Sequence, residues 1–381
     1  MAKIRKRWWI GPVIFTFFIY VFITARPIQR ESILKSRWIS SLETGLPVYM
    51  GENENHYTDE LIPFLIGSRF GYIQDNGVFA LNRVINNYIA YSDLFWTEYQ
   101  AVPESLQIMN TQSLPQFTLI DSEGADGYTS GSSTGIPRGY PLFLDNNIYI
   151  LGMEQNSLTA LSNSGSHLWS YDFPAPLTCI DSSANHVVAG TLDGAVILLD
   201  PNGRQVFTPF EPGGSDFTII LGCAISQDAN MIAIISGINN QRLLVLERSG
   251  DIFITIYHEF IGSGFRRPVH ISFVDNDRKV AFEREGGIGI FDIGTRTSTM
   301  LPLKGELVLL DNSGDERFLF LITREESSMA APVKRLVAIR YPAFIVMDIP
   351  FKTENVFMHR SGTRLYIGGD NSIVSFEIDL R

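Results

Sequence analysis

The sequence predicts an all-β fold that is built from one antiparallel unit repeated along most of the chain. Two observations support this prediction. Short runs rich in β-branched and aromatic residues alternate with turns rich in Asp, Asn, Ser and Gly. No convincing amphipathic helix follows residue 45, so strands must supply the core of the body.

The recurring unit is an apolar strand, a short polar turn and a second apolar strand. When the polar turn residues are aligned, successive copies lie 36 to 52 residues apart. A period of about 40–45 residues is typical of propeller blades. Seven copies cover residues 88–99, 141–151, 177–190, 221–235, 271–282, 307–322 and 356–369, with Asp93, Asp145, Asp181, Asp228, Asp275, Asp311 and Arg360 as the aligned residues.

A second pair of strands follows most copies, so each predicted unit has four antiparallel strands. Seven such units predict a seven-bladed β-propeller over residues 70–381. The last unit has only three strands before Arg381, and the hairpin at 70–84 is predicted to supply an N-terminal fourth strand. That strand would close the ring without an exposed edge. The alternative is a β-sandwich with a second small domain.

The N-terminal region predicts a membrane anchor. A basic tail, residues 1–7, precedes the uncharged stretch WWIGPVIFTFFIYVFITA at 8–25. Eighteen helical residues span about 27 Å, close to the hydrocarbon thickness of a bilayer. We therefore predict a cytoplasmic tail over 1–7 and a transmembrane signal anchor over 8–25. A cleaved signal peptide is the alternative, and Ile23-Thr24-Ala25 matches a small-x-small cleavage site poorly.

Residues 26–69 are predicted to form a juxtamembrane helix followed by a connector. Within RESILKSRWISSLE (30–43), the apolar side chains recur near helical spacing. The acidic stretch GENENHYTDE (51–60) is typical of a solvated connector.

The distribution of charge along the chain excludes one class of partner and indicates on which side of the membrane the body lies. The chain has 30 basic and 41 acidic residues, and eight of the basic and two of the acidic residues lie in 1–45. The remaining body carries a net charge of −17, so it repels phosphate backbones and nucleic-acid binding is not expected. Basic residues are equally numerous on the two sides of the span. The α-amino group adds a positive charge before it and Glu31 a negative charge after it, so the N-terminal side is slightly more positive. We expect the body on the extracytoplasmic side of a bacterial inner membrane.

Two repeats carry a family resemblance. NNIYILGMEQNSLTALSNSGSHLWSYDF (146–173) resembles the blades of PQQ-like, quinoprotein-type repeats, and AISQDANMIAII (224–235) resembles TolB-like and WD-repeat-like blades. The resemblance covers roughly residues 70–381 and implies a β-propeller of the bacterial cell envelope. The chain lacks the adjacent cysteines typical of PQQ-dependent dehydrogenases and the lipobox cysteine of propeller lipoproteins, so no functional residue and no cofactor are carried over.

The two cysteines, Cys179 and Cys223, lie on the first strands of neighbouring units. A disulfide is conceivable there if the body is in an oxidising compartment. Two buried free thiols are the favoured alternative, because free cysteine is among the most buried residue types.

Motifs for chemistry are sparse. Gly131-Ser132-Ser133-Thr134-Gly135 resembles a hydrolase elbow, but the prolines that follow prevent the required helix, and 121–139 is predicted to be a Gly/Ser-rich loop. The six histidines are scattered without metal-ligand spacing, so no metal site is predicted.

One cluster, Arg266, Arg267 and His270, is a candidate interaction loop because guanidinium groups bind carboxylates; a solvated loop is the alternative.

The functional prediction is a non-catalytic, membrane-anchored scaffold that binds envelope proteins through loops held on a rigid ring. One alternative is a propeller lyase or hydrolase with a site in the central channel. The predicted first strands are mostly apolar, for example at Leu142, Ala224 and Ile271, whereas such a site needs converging polar side chains. A small-ligand or glycan sensor is the other alternative.

Overall fold

The computed structural model contains only β-strands among the residues it describes. Those residues are 33–50, 61–74, 76–86, 88–91, 95–99, 120–121, 139–145, 147–163, 165–311, 317–325 and 332–379. The predicted span at 8–25, the acidic stretch at 51–60 and residues 122–138 of the Gly/Ser-rich loop lie outside them. Within these ranges, no helix has the length and apolar character needed to cross a membrane.

Eight antiparallel sheets follow one another along the described chain. The strands β1 (Leu34–Ser41) and β2 (Pro47–Met50) come first but belong to sheet eight. Sheet one contains β3 (Leu61–Ile66), β4 (Arg69–Gln74) and β5 (Phe79–Val84), and sheet two contains β6 (Tyr88–Tyr91), β7 (Phe95–Tyr99) and β8 (Ile120–Asp121). Sheet three contains β9 (Gly139–Leu144), β10 (Asn147–Gly152), β11 (Ser157–Leu161) and β12 (His167–Asp172), and sheet four contains β13 (Leu177–Ser183), β14 (His186–Thr191) and β15 (Val196–Leu199).

Sheets five to seven each have four strands, as the repeat predicts. Sheet five contains β16 (Ile220–Ile225), β17 (Met231–Ser236), β18 (Arg242–Ser249) and β19 (Ile252–Phe260). Sheet six contains β20 (Ile271–Val274), β21 (Lys279–Arg284), β22 (Gly287–Asp292) and β23 (Thr297–Pro302). Sheet seven contains β24 (Glu306–Leu310), β25 (Phe318–Glu325), β26 (Val333–Arg340) and β27 (Phe344–Lys352), and sheet eight adds β28 (Phe357–Ser361), β29 (Arg364–Gly368) and β30 (Ser372–Ile378) to β1 and β2.

Packing between successive sheets arranges them as a ring. The innermost strand is the first strand of sheets one to seven and β28 in sheet eight, and neighbouring innermost strands approach each other across several of the junctions. Apolar clusters fill seven junctions, including the one that joins sheet eight to sheet one. At the eighth, Tyr88 of sheet two donates a hydrogen bond to the carbonyl of Pro141 in sheet three, at 3.2 Å. The all-β propeller prediction is therefore confirmed at the level of architecture.

The strand that completes the last sheet differs from the predicted one. Strand β1 pairs antiparallel with β30, from Leu34 opposite Ile378 to Ser41 opposite Ser372, so the predicted helix in this segment is wrong. A register shift in β1 between Ser36 and Trp38 puts Leu34 on the face of sheet eight that packs against sheet seven. Trp38 and Leu42 lie on the other face, and their spacing of four residues places side chains on one face of a helix and equally on one face of a strand. Burial of the intervening Ser40 shows the two-residue period of a strand.

The number of repeats also differs from the prediction. The described residues form eight sheets, not seven, because the hairpin at 70–84 pairs with β3 to make a sheet of its own. The segment LIPFLI (61–66), placed in the predicted connector, lacks alternation and contains Pro63. As an innermost strand β3 has one hydrogen-bonded neighbour, which makes a proline tolerable there. The ring therefore begins with residues 34–50 and resumes at Leu61, rather than at residue 70.

Candidate functional site

The predicted interaction loop lies between β19 and β20, and its two arginines have different surroundings. Arg267 donates two hydrogen bonds to the carboxylate of Glu283, at 2.7 and 3.1 Å, and stacks on the ring of Phe265. The hydrogen bonds to Glu283 raise the pKa of Arg267. Since the Glu283 side chain is only 2% exposed, this pair holds the loop against sheet six. Arg266 is exposed.

His270 also belongs to this structural arrangement. Its backbone N–H donates to Glu283 at 3.1 Å, and burial lowers the pKa of its imidazole, so the ring is neutral near pH 7. The structure thus brings Arg267 and His270 together around Glu283 and leaves Arg266 facing solvent. Partner binding by this loop stays a prediction, and Arg266 is the cation positioned for it.

We expect charge reversal to separate the two arginines. Arg267→Glu places a second carboxylate against buried Glu283 and should lower the free energy of unfolding by about 2–3 kcal/mol, a value reduced for the partial exposure of Arg267. Arg266→Glu should change it by no more than about 0.5 kcal/mol. Urea unfolding of both variants measures this difference. Equal losses would show that the Glu283 pair does not hold the loop.

The two cysteines are free thiols on neighbouring innermost strands. Cys223 is buried, its sulfur lies 3.8 Å from the carbonyl oxygen of Val188, and burial raises its pKa well above the ordinary value. Cys179 is half-buried. The structure therefore agrees with the favoured alternative of two thiols.

Thiol titration tests whether both cysteines are free. A denatured, unreduced sample should give two thiols per chain, whereas native Cys223 should react much more slowly than denatured Cys223 because it is buried and protonated. A denatured sample with no reactive thiol would instead show that the two cysteines form a disulfide.

Three of the aligned polar turn residues, Asp181, Asp311 and Arg360, connect neighbouring sheets. Asp181 at the inner edge of sheet four accepts a hydrogen bond from the backbone N–H of Ile225 in sheet five, at 3.0 Å. Asp311 of sheet seven forms an ion pair with Arg360 of sheet eight, at 3.3 Å. In the sequence these residues serve only to align the repeats. Asp228 and Asp275 instead bond to residues of their own turns and sheets, so the aligned position has more than one structural role.

The pH dependence of stability should report on Asp181. Burial raises its pKa from the ordinary 3.8 to about 6, against the lowering effect of hydrogen bonds from Ile225 and Ser182. The folded state therefore binds the proton more tightly than the unfolded state. The stabilisation from this group is complete below pH 3.8 and is lost as the pH rises through about 6, a change of about 3 kcal/mol.

Asp181→Asn isolates this effect. The variant should lose the downward slope contributed between pH 4 and 7, when unfolding free energies of both proteins are compared across that range. Parallel pH profiles for the two proteins would contradict the assignment.

The central channel contains a cavity of about 330 Å³. Its lining is mostly apolar and comes from innermost strands of sheets one, two, seven and eight, with Leu65, Leu309 and Met358 among the lining residues. Tyr91 and His359 are the titratable side chains that line it. Among the described residues, no group of three His, Cys, Asp or Glu side chains is placed to hold a metal ion.

A larger cleft lies between the outer parts of sheets seven and eight. It measures about 630 Å³, and its walls are apolar side chains of β26, β27, β29, β30 and β1, including Leu34, Leu336 and Phe376. Thr353, Asp370 and neighbouring polar groups line the rest of the cleft. Its two walls are near in the chain, but Ile33 and Leu34 reach it only because β1 pairs with β30, so the sequence analysis missed it.

Exposed apolar side chains surround this part of the ring. Leu46, Val48, Tyr49 and Met50, on and just before β2, are 46–72% exposed. On β27, Phe344, Ile345 and Ile349 are 41–60% exposed. These seven residues are called the apolar rim below. The run Leu-Pro-Val-Tyr-Met at 46–50 was the available signal, because a solvated connector does not need five such residues in succession.

A closed ring of antiparallel sheets, each with its first strand innermost, defines the β-propeller class. A sequence model of a beta-propeller protein family matches residues 1–380, and the chain belongs to that family. The chain is similar to an "Uncharacterized protein" of Treponema pallidum (strain Nichols), at 20% identity over 380 residues, covering 99% of this chain and 95% of the relative.

Two solved structures share the fold. The computationally designed Ika8 protein superposes with a TM-score of 0.57 at 11% identity, covering 90% of this chain and 96% of the designed one. Apo AztD from Citrobacter koseri superposes with a TM-score of 0.51 at 12% identity, covering 81% of this chain and 88% of AztD. At these identities the likeness concerns the fold alone.

Proposed function

We propose that the protein is a non-catalytic scaffold, anchored in the bacterial inner membrane through residues 8–25, that presents its propeller to envelope proteins on the extracytoplasmic side. The observation that carries this proposal is the position of β1. The strand that completes the last sheet begins at Leu34, and only eight residues, 26–33, separate it from the end of the hydrophobic stretch at Ala25. Eight extended residues reach at most about 29 Å, so an anchor at 8–25 holds the whole ring beside the membrane.

The channel lining supports the non-catalytic part of the proposal. General acid–base catalysis needs polar groups that converge on one reacting atom. Tyr91 and His359 are the titratable side chains of the described channel cavity, and the rest of its lining is apolar. Such a lining favours packing between blades over the binding and activation of a polar substrate.

Cross-linking in native membranes tests the proposal. Full-length protein should resist extraction with carbonate, should be degraded by protease added to spheroplasts, and should co-purify with one or a few stoichiometric envelope proteins. In the control, a cleavable signal peptide replaces residues 1–31, so β1 is kept and only the anchor is lost. Extraction of the full-length chain by carbonate, or no partner above the control, would contradict the proposal.

A further inference from the structure

The apolar rim lies on the two outermost strands of adjacent sheets, and the cleft opens between those sheets. Single exposed apolar residues are common on protein surfaces, but a contiguous group marks a contact surface. Strand β19 of sheet five provides a useful comparison. It also exposes Ile252, Ile254 and Phe260, on the outermost strand of a sheet far from β1 around the ring. Exposure alone therefore does not distinguish the apolar rim.

What distinguishes the apolar rim is the point at which the N-terminal segment reaches the ring. Ile33, the first described residue, and Leu34 both line the cleft. Any chain that connects residue 25 to the ring must therefore arrive at this cleft. With residues 8–25 in the bilayer, the cleft is the part of the ring that this connection holds within about 29 Å of the membrane.

Charge around this position also suits a membrane surface. Arg26, Arg30, Lys35 and Arg37 lie within twelve residues of the stretch that ends at Ala25, although Lys35 pairs with Asp379 and the body as a whole is acidic. Basic residues beside an apolar surface are the combination that binds anionic headgroups and the acyl boundary.

The one acidic side chain of β27 is already compensated. On β27, the carboxylate of Asp348 lies 2.6 Å from the guanidinium of Arg335. This ion pair reduces the repulsion that an anionic lipid surface would otherwise meet at the rim.

We propose that the apolar rim rests on the lipid surface, with the mouth of the cleft facing the acyl boundary, so that the propeller lies with sheets seven and eight against the bilayer. This inference rests on the proposed anchoring through residues 8–25. It adds an orientation: the opposite side of the ring, which includes sheets three and four, faces away from the membrane and is available to protein partners.

Photo-cross-linking to lipid tests the orientation. The full chain carries p-benzoylphenylalanine at Ile349, or at Ile254 on β19 as the matched control, since the two side chains are 47% and 44% exposed. Each protein is reconstituted into liposomes of phosphatidylethanolamine and phosphatidylglycerol, irradiated and analysed by mass spectrometry. We expect about tenfold more lipid adduct at position 349, because the headgroup and acyl boundary is within reach only there.

The outcomes separate the two proposals. Carbonate extraction of the same liposomes reports on anchoring alone. If the protein is retained and the lipid adduct is equal at both positions, or position 349 links to a second copy of the chain instead, the orientation is overturned and the anchor stands. If carbonate removes the protein, the anchor fails and the orientation fails with it.

Discussion

Replacing Trp38 with alanine is expected to lower the free energy of unfolding by about 3–5 kcal/mol. Trp38 is 2% exposed and lies in the apolar cluster that joins sheet eight to sheet one. Its indole packs 5.9 Å, centroid to centroid, from the ring of Tyr366. The loss combines the transfer of the indole to water with the cavity left at the junction where the ring closes.

Tyr49→Ala on β2 is the matched control for this prediction. Tyr49 is 49% exposed on the next strand of the same sheet, so its truncation should cost no more than about 0.5 kcal/mol. Urea unfolding of the two variants gives both values. A loss for Trp38→Ala as small as that for Tyr49→Ala would show that β1 is not part of the folded core.

Arg360→Met is expected to destabilise the protein by about 3–5 kcal/mol, because it leaves the carboxylate of Asp311 buried without its cation. The side chains of Arg360 and Asp311 are only 2% and 7% exposed. Arg360 also donates a hydrogen bond to the carbonyl of Phe318 at 3.1 Å, which ties sheet eight to sheet seven a second time.

A double-mutant cycle identifies the cause. Asp311→Asn combined with Arg360→Met should cost clearly less than the sum of the two single variants, because the uncompensated charge is then gone. Lys35→Met serves as an exposed control. Its ion pair with Asp379 spans 2.9 Å, but Lys35 is 56% exposed, so the loss should be about 0–1 kcal/mol. Additive losses at Asp311 and Arg360 would contradict the buried-pair account.

The architecture could be predicted from the sequence because each sheet repeats the same local pattern of strand, polar turn and strand. The closing strand could not, because the spacing of Trp38 and Leu42 suits a helix and a strand alike, and the register shift that turns Leu34 to the other face has no sequence signal. Only pairing with β30, more than 330 residues away, distinguishes the two conformations. Sheet one was missed for a related reason, since the innermost strand LIPFLI is apolar throughout and shows no alternation.

The different roles of the two arginines in the candidate loop could not be predicted from the sequence. Arg266 and Arg267 are adjacent and chemically identical in the sequence, so no local pattern assigns them different roles. The difference comes from Glu283, sixteen residues beyond Arg267, which hairpin pairing in sheet six places beneath the loop. The cleft and the apolar rim likewise form where the two ends of the chain meet. The period of the repeats carries no information about that meeting.

The most direct test of the account is a cross-strand disulfide between β1 and β30 in carbonate-washed membranes. Ser41 and Ser372 face each other in the antiparallel pair, at a separation that suits a disulfide when both are changed to cysteine. The background carries Cys179→Ala and Cys223→Ala. The control pair combines Ser41→Cys with Ser361→Cys on β28, three strands away in the same sheet and level with Lys35 rather than Ser41, so the two positions are more than about 14 Å apart.

A ring that is closed by the strand next to the anchor predicts rapid, nearly complete linkage of positions 41 and 372 in the membrane-retained protein, with little linkage of the control pair. Equal linkage of the two pairs, or linkage found only in protein released by carbonate, would contradict it.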